Sequence, residues 1–173
     1  KLSPSMLAPE IVEKLTSGGV VDKWVTLLEG WRIEEMAEKL NQELGIKNEE
    51  FLKIAKEGYM FPDTYLFNLE AKAADIAEAM KQNFDKKYDQ ELQNKIKSLG
   101  LTSEQGVILA SMVEREARSD EARRMVASIL LKRLKIGMGL NADATVQYIL
   151  GYQREEKSWW KRHLTKEDLR VDS

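Results

Sequence analysis

Two carboxylates, Glu114 and Glu116, close a run that is otherwise almost wholly apolar: Val107-Ile108-Leu109-Ala110-Ser111-Met112-Val113. Burial disfavours the charged form of a carboxylic acid. An acid tuned that way can donate a proton near neutral pH, as glycosidase acids do. Protonation of a leaving group is therefore chemistry that this arrangement can support. At helical spacing Val107, Ser111, Glu114 and Arg118 share one face, while Glu116 falls with Leu109 and Met112. The same residues also describe the polar end of an ordinary helix. Residue types alone favour that plainer reading, because perturbed acids point to function only statistically.

Other side chains can support such an acid. Asn141 and Asp143 fall in a polar turn, a common place for substrate-contacting groups. Thr145 and Tyr148 can hydrogen-bond substrate hydroxyls or the glutamate itself. Ser111, one turn before Glu114, can reach the carboxylate. Each has an ordinary alternative: Asn and Asp satisfy their own backbone, Thr and Tyr form strands, and a small residue lets helices approach. Tyr59, Asp63 and Tyr65 cluster in sequence with Phe61. Their rings suit a glycan groove or the anchoring of a loop in a core. Trp159 and Trp160 invite the same two readings. Glu116 is the rival carboxylate, or an ion-pair partner for Arg115, Arg118, Arg123 or Arg124.

The elements that must position these groups are mostly helical. Thr102 and Gln105 fit a capping box. The helix they open is apolar around nearly its whole circumference, which predicts burial on all sides. Asp120 can cap a second helix to Ile136, with Ala122, Met125, Val126, Ile129, Leu130 and Leu134 inward. A short element is expected over 146–150, and a mixed-charge helix around Trp159 and Trp160. Upstream, Pro9 suits the first turn of a helix to about Thr16, closed by Gly18-Gly19. Val20 to Leu28 reads as a strand. Ile33, Met36, Ala37, Leu40 and Leu44 keep helical period up to Gly45. Asn48 can cap a short helix through about Lys56. Gly58 to Phe67 reads as a loop with a short strand. Ile76, Met80, Phe84, Tyr88, Leu92 and Ile96 mark a long helical segment to Gly100, with a break near Lys86 to Asp89. The fold class expected is α+β. A boundary near Leu44 to Lys47 would separate a small β/α module, residues 1–46, from a mainly helical domain, residues 47–173.

Composition narrows the function. With 43% hydrophobic residues the chain can build a packed core. A net charge of −2 gives no electrostatic footprint for nucleic acid. There are no cysteines and one histidine, His163, so no thiolate chemistry and no cysteine/histidine zinc site is expected. No metal or other cofactor is called for. No run reaches the roughly 18 apolar residues of a membrane span.

The order of motifs adds a resemblance. Leu109-Ala110-Ser111-Met112-Val113-Glu114-Arg115-Glu116-Ala117 is followed by Val126-Ala127-Ser128, Arg133-Leu134, Gly137-Met138, Leu140 and Asp143-Ala144-Thr145-Val146-Gln147-Tyr148. It is preceded by Glu29-Gly30-Trp31 and by Glu57-Gly58-Tyr59-Met60-Phe61-Pro62-Asp63-Thr64-Tyr65. Together these resemble the MltG family, also called YceG-like. The resemblance implies an endolytic transglycosylase that cleaves peptidoglycan glycan strands and leaves 1,6-anhydro-muramyl ends, without a cofactor. It places the catalytic acid/base on Glu114. It also implies a lysozyme-like helical catalytic domain after a partial LysM-like module, with a membrane anchor upstream and action on the extracytoplasmic face of the bacterial cytoplasmic membrane. Cell-wall synthases are the partners such an enzyme would meet. Two positions depart from the family pattern: Ala144 stands where Pro is usual, and Asn141 where Gln is frequent. The family's pattern also continues past Ser173, so the helical domain is expected to extend further. The competing functions are a muramidase, with Asp143 or Glu116 as second carboxylate, and a non-catalytic peptidoglycan-binding scaffold.

Overall fold

The computed structural model describes residues 4, 6–16 and 22–170. Gly18-Gly19, expected to close the first helix, lie outside the described residues. The chain divides into two compact units, Lys1–Phe84 and Asp85–Ser173. The α+β expectation is met: among the described residues the elements are helices except for one two-stranded sheet. The boundary expected near Leu44 to Lys47 falls inside the first unit, because Ile46 and Phe51 both lie in that unit's core.

The first unit holds α1 (Ala8–Thr16), β1 (Asp22–Thr26), α2 (Ile33–Leu44), α3 (Asn48–Leu52) and β2 (Thr64–Asn68), with most of α4 (Ala73–Lys87). β1 and β2 pair antiparallel, from Asp22 opposite Asn68 to Thr26 opposite Thr64. One face of the ladder is buried and the other faces solvent. Val25 and Phe67 point inward, while Trp24 and Leu66 point out. Ile33, Met36, Ala37 and Leu40 of α2 cover the inner face, and Ile76, Ala77 and Met80 of α4 complete the core. Gly45 ends α2 in the left-handed conformation, φ 72°, and its N–H donates to the Asn41 carbonyl. α3 begins at Asn48 and stops at Leu52, shorter than expected, and Asn48 is inside it rather than its cap.

The expected break in the long helical segment is present. α4 ends at Lys87, and Asp89 caps α5 (Gln90–Ser98) by accepting from the Leu92 N–H at 2.8 Å. Then come α6 (Ser103–Glu116), α7 (Asp120–Lys135), α8 (Asp143–Leu150) and a 3₁₀ turn at Asp168–Arg170. The Thr102–Gln105 capping box forms in both directions, at 2.9 and 3.1 Å. Ser119, not Asp120, caps α7.

Two burial expectations fail. α6 buries a single stripe, Gly106, Leu109 and Met112, and leaves Ile108 54% exposed. α7 turns Val126, Leu130 and Leu131 inward, while Met125, Ile129 and Leu134 stay exposed. The second core is small: Leu109, Met112, Leu130 and Ala142 are its fully buried members. Its neighbours cannot cover every apolar residue on two long helices.

Gly106 sets the approach of α5 to α6. A Cβ there would lie 2.8 Å from Cγ2 of Ile96. Alanine gains about 1 kcal/mol of helix propensity over glycine, against about 1–3 kcal/mol for overpacking. Gly106→Ala is therefore expected to lower the stability of the second unit by about 1 kcal/mol. Urea unfolding followed by circular dichroism checks this; an unchanged or higher midpoint would mean that Ile96 simply yields.

Candidate functional site

The last turn of α6 carries three consecutive charged residues, Glu114, Arg115 and Glu116. Successive residues on a helix point about 100° apart, so each reaches a different neighbour. Glu114 turns to α7, where its Oε1 accepts from Arg123 Nη2 at 2.8 Å. The Arg115 guanidinium lies over the Trp160 ring, 3.5 Å from its centroid. Glu116 turns to α8, where its Oε1 accepts from the Ala144 N–H at 3.4 Å. A carboxylate at a helix N-terminus also complements the positive end of the helix dipole.

The three contacts give the carboxylates different tasks. Glu116 is occupied with α8. Its bond needs a backbone N–H at position 144, which alanine has and a proline would lack. Glu114 has a side chain 33% exposed, beside an Arg123 side chain 32% exposed. It is neither deeply buried nor fully solvated, so the expectation of an acid sunk in an apolar helix is corrected. Arg123 pairs with Glu114 rather than Glu116, and its Nη1 is 3.6 Å from Asp120. Glu114 and Arg123 are nine residues apart across a corner between two helices. Local spacing carries no signal for such a pair.

α8 replaces the turn and short element expected over 141–150. Asp143 is its first residue, exposed, and Asn141 precedes it with φ 47°. Thr145 and Tyr148, three apart, share a face of α8; Asp143 lies away from it. The Thr145 hydroxyl donates to the Ala142 carbonyl at 2.8 Å, and Tyr148 is partly exposed. Through Glu116, α8 is fastened to the same helix turn that carries Glu114. Ser111 is exposed, and its hydroxyl donates to the Ile108 carbonyl at 2.8 Å rather than to Glu114.

Tyr59, Asp63 and Tyr65 belong to the first unit, where Asp63 and Tyr65 share Asn83 as a hydrogen-bond partner. Asp63 accepts from the Thr64 N–H at 2.8 Å and from Asn83 at 3.0 Å. The Tyr65 hydroxyl donates to the Phe61 carbonyl at 2.7 Å, and burial pushes its pKa up. Tyr59 packs on Phe84, ring centroids 5.0 Å apart. Glu57, from the same motif, accepts from the Ile33 N–H at 3.0 Å and so satisfies one of the open donors of α2. That role crosses 24 residues and was not legible in the sequence.

Residues 151–161 are not helical, contrary to expectation. Gln153 and Ser158 pair by two backbone hydrogen bonds, and Trp159 meets Tyr152 edge-on, centroids 5.2 Å apart. Gln147 of α8 donates to the Lys161 carbonyl at 2.7 Å. Lys161 in turn binds both oxygens of Asp168, at 2.9 and 2.6 Å. The Lys161 ammonium, with the Thr165 N–H, holds the Asp168 carboxyl below its ordinary pKa. A depressed folded-state pKa stabilises above the unfolded value, and the effect is lost as pH falls through the folded value. Acidification below about pH 4 is therefore expected to loosen this segment, read as a change in fluorescence from Trp159 and Trp160. Asp168→Asn should remove that component; an unaltered acid response in the variant would rule Asp168 out as its source.

These contacts bring the Leu109-to-Ala117 run, Val126-Ala127-Ser128 and the Asp143-to-Tyr148 element into one unit, α6 joined to α7 and to α8 through Glu114 and Glu116. The chain is similar to an endolytic murein transglycosylase of Bacillus subtilis strain 168, 28% identical over 99% of this chain and 54% of that protein. A Streptococcus pneumoniae protein of the same name, from serotype 2 strain D39, is 25% identical over 87% of this chain and 34% of its own length. The chain thus spans about half, or less, of the length of these curated relatives. A crystal structure of a YceG-like protein from Listeria monocytogenes superposes with a TM-score of 0.75 at 25% identity, covering 99% of this chain and 64% of that one. The YceG-like family model matches residues 1–173, and with the motifs in order along the whole of it, the chain belongs to the YceG-like family.

Proposed function

We propose that this chain is the murein-cleaving part of an endolytic lytic transglycosylase, a carbon–oxygen lyase that cuts glycan strands between MurNAc and GlcNAc and so terminates or trims nascent chains. Family membership and the names of the relatives support the reaction class. The observation that carries the reading within this chain is Glu114. It is a carboxylate at the exposed end of a packed helix, with one oxygen held by Arg123 and its neighbour Glu116 occupied elsewhere.

One carboxyl suffices for this reaction. Glu114 gives its proton to the glycosidic oxygen, and the C1–O bond breaks with its electron pair going to that oxygen. The 6-hydroxyl of the same muramyl residue forms the new bond to C1 and returns its proton to Glu114. No water is consumed, and the nucleophile is already tethered, which removes much of the entropic barrier. Asn141, Asp143, Thr145 and Tyr148, held near the end of α6 by the Glu116 contact, are the groups proposed to contact the sugar, with Ser111 a lesser candidate. Tyr59, Asp63 and Tyr65 are proposed as a further glycan surface in the first unit. The helical second unit is read as the lysozyme-like part. Because murein lies outside the cytoplasmic membrane, the chain would work on its extracytoplasmic face, beside the synthases that extend the strands.

The test is to digest purified murein with the chain in water enriched in heavy oxygen and to weigh the released fragments. The expected products carry anhydro ends, one water lighter than hydrolysis products, and no heavy oxygen. Label at new reducing ends would instead identify a muramidase. Binding without release would identify a scaffold.

A further inference from the structure

We propose that Arg123 is a positioning residue for this chemistry and that it divides the two oxygens of Glu114 between two tasks. The inference rests on the transglycosylase reading above. Arg123 Nη2 donates to Oε1 of Glu114, rather than to Oε2, at 2.8 Å. Oε1 is the anchored oxygen, and Oε2 is the one that gives and regains the proton. A guanidinium is planar and presents its N–H groups in a fixed fork, so it fixes the direction of a carboxylate as well as its charge.

The surroundings support this assignment. Arg123 stands on the first turn of α7, whose start is fixed by the Ser119 cap, with the Ala122 N–H donating to Ser119 Oγ at 3.3 Å. Its other terminal nitrogen lies 3.6 Å from Asp120, which is 84% exposed and so a weaker partner. α6 contributes the acid and α7 its orienting group, and the buried Ala117 lies in the corner between them. Arg123 is bonded to Glu114, and Asp120 on α7 lies beyond it. On α6, Arg115 is engaged by Trp160 and Glu116 by α8; Asp143 opens α8. Arg123 is the cation whose bond to Glu114 the structure contains. It is thus placed to stabilise the carboxylate that exists between the two proton transfers, when the glycosidic bond has broken and the 6-hydroxyl has not yet given up its proton.

The experiment compares the wild-type chain with Arg123→Gln, Arg123→Lys and Arg124→Gln on soluble, uncross-linked glycan strands, measuring kcat and KM by anhydro-end release. Thermal melts followed by circular dichroism set the folded fraction of each. Arg123→Gln is expected to lower kcat by up to about 10²-fold, the scale of a misplaced catalytic group, with KM little changed. Arg123→Lys, which keeps a charged donor, should recover part of that loss. Arg124→Gln, at an exposed neighbour, should match wild type. Full activity in Arg123→Gln would overturn the role. So would a loss confined to KM, which would make Arg123 a substrate contact. A Lys variant no better than Gln would reduce Arg123 to a structural residue. If wild type releases no anhydro ends at all, the transglycosylase reading fails first and this role falls with it; if wild type is active, only the role of Arg123 is at stake.

Discussion

Glu114→Gln should leave a folded chain that releases essentially no anhydro-muropeptides. The substitution keeps the size and one carbonyl oxygen that can still accept from Arg123, and it removes the group that carries the proton. General acid–base steps contribute roughly 10²–10⁴-fold to a rate, and here the same carboxyl serves in both. The folded state should barely notice. Both partners of the ion pair are about one-third exposed, and such pairs contribute roughly 0–1 kcal/mol. The comparison that gives the result meaning is Glu116→Gln. Glu116 lies two residues away on the same helix turn, but its carboxylate faces the Ala144 N–H. Its loss should slightly weaken the docking of α8 and leave most of the activity. Chromatography of murein digests, with thermal melts alongside, separates the two. Normal release by Glu114→Gln, or abolition by Glu116→Gln alone, would move the acid from Glu114 to its neighbour.

The difference between those two glutamates was not legible in the sequence, for a physical reason. Helical spacing places both on the last turn of α6, and nothing local says which way each will be used. That is decided by Arg123 and Ala144, 9 and 28 residues further along the chain. Local signals worked where one residue type has one dominant conformation. Gly45 ended α2 because glycine enters the left-handed region without strain. Thr102 opened α6 because its hydroxyl and the Gln105 amide satisfy each other's backbone. The signals failed where two residues compete. Ser119 and Asp120 are both good caps, and the chain uses the first. They failed again where apolar residues outnumber the surface that can bury them. Met125 fits the helical period of α7 as well as Val126 does, yet it is 60% exposed because the neighbouring elements reach only one side of that helix. For α8, Asn141 to Thr145 read as a polar turn and only Val146 to Leu150 as a short element. The eight-residue helix is secured by Glu116 and by the Gln147 bond to the Lys161 carbonyl, neither of which a local window contains.

Phe51→Ala should be the most destabilising single substitution considered for the first unit. Phe51 is fully buried, at 0% exposure, yet it belongs to α3, a helix of only five residues. A helix that short has too few internal hydrogen bonds to persist by itself. Packing must hold it, and Phe51 is its one buried side chain. Truncating a buried phenylalanine to alanine costs about 3–5 kcal/mol through lost burial and the cavity that remains. Single domains have about 5–15 kcal/mol in all, so the variant should bring the first unit close to unfolding at ambient temperature. Leu52→Ala provides the control. Leu52 is the next residue of the same helix and 37% exposed, so its truncation should cost far less. Denaturant unfolding followed through Trp24 and Trp31, both in the first unit, reads the loss where it occurs. A cost for Phe51→Ala below about 1 kcal/mol, well under the range for a large buried truncation, would mean that α3 is dispensable to that core. The Ile33-to-Met80 contacts would then have to hold it without Phe51.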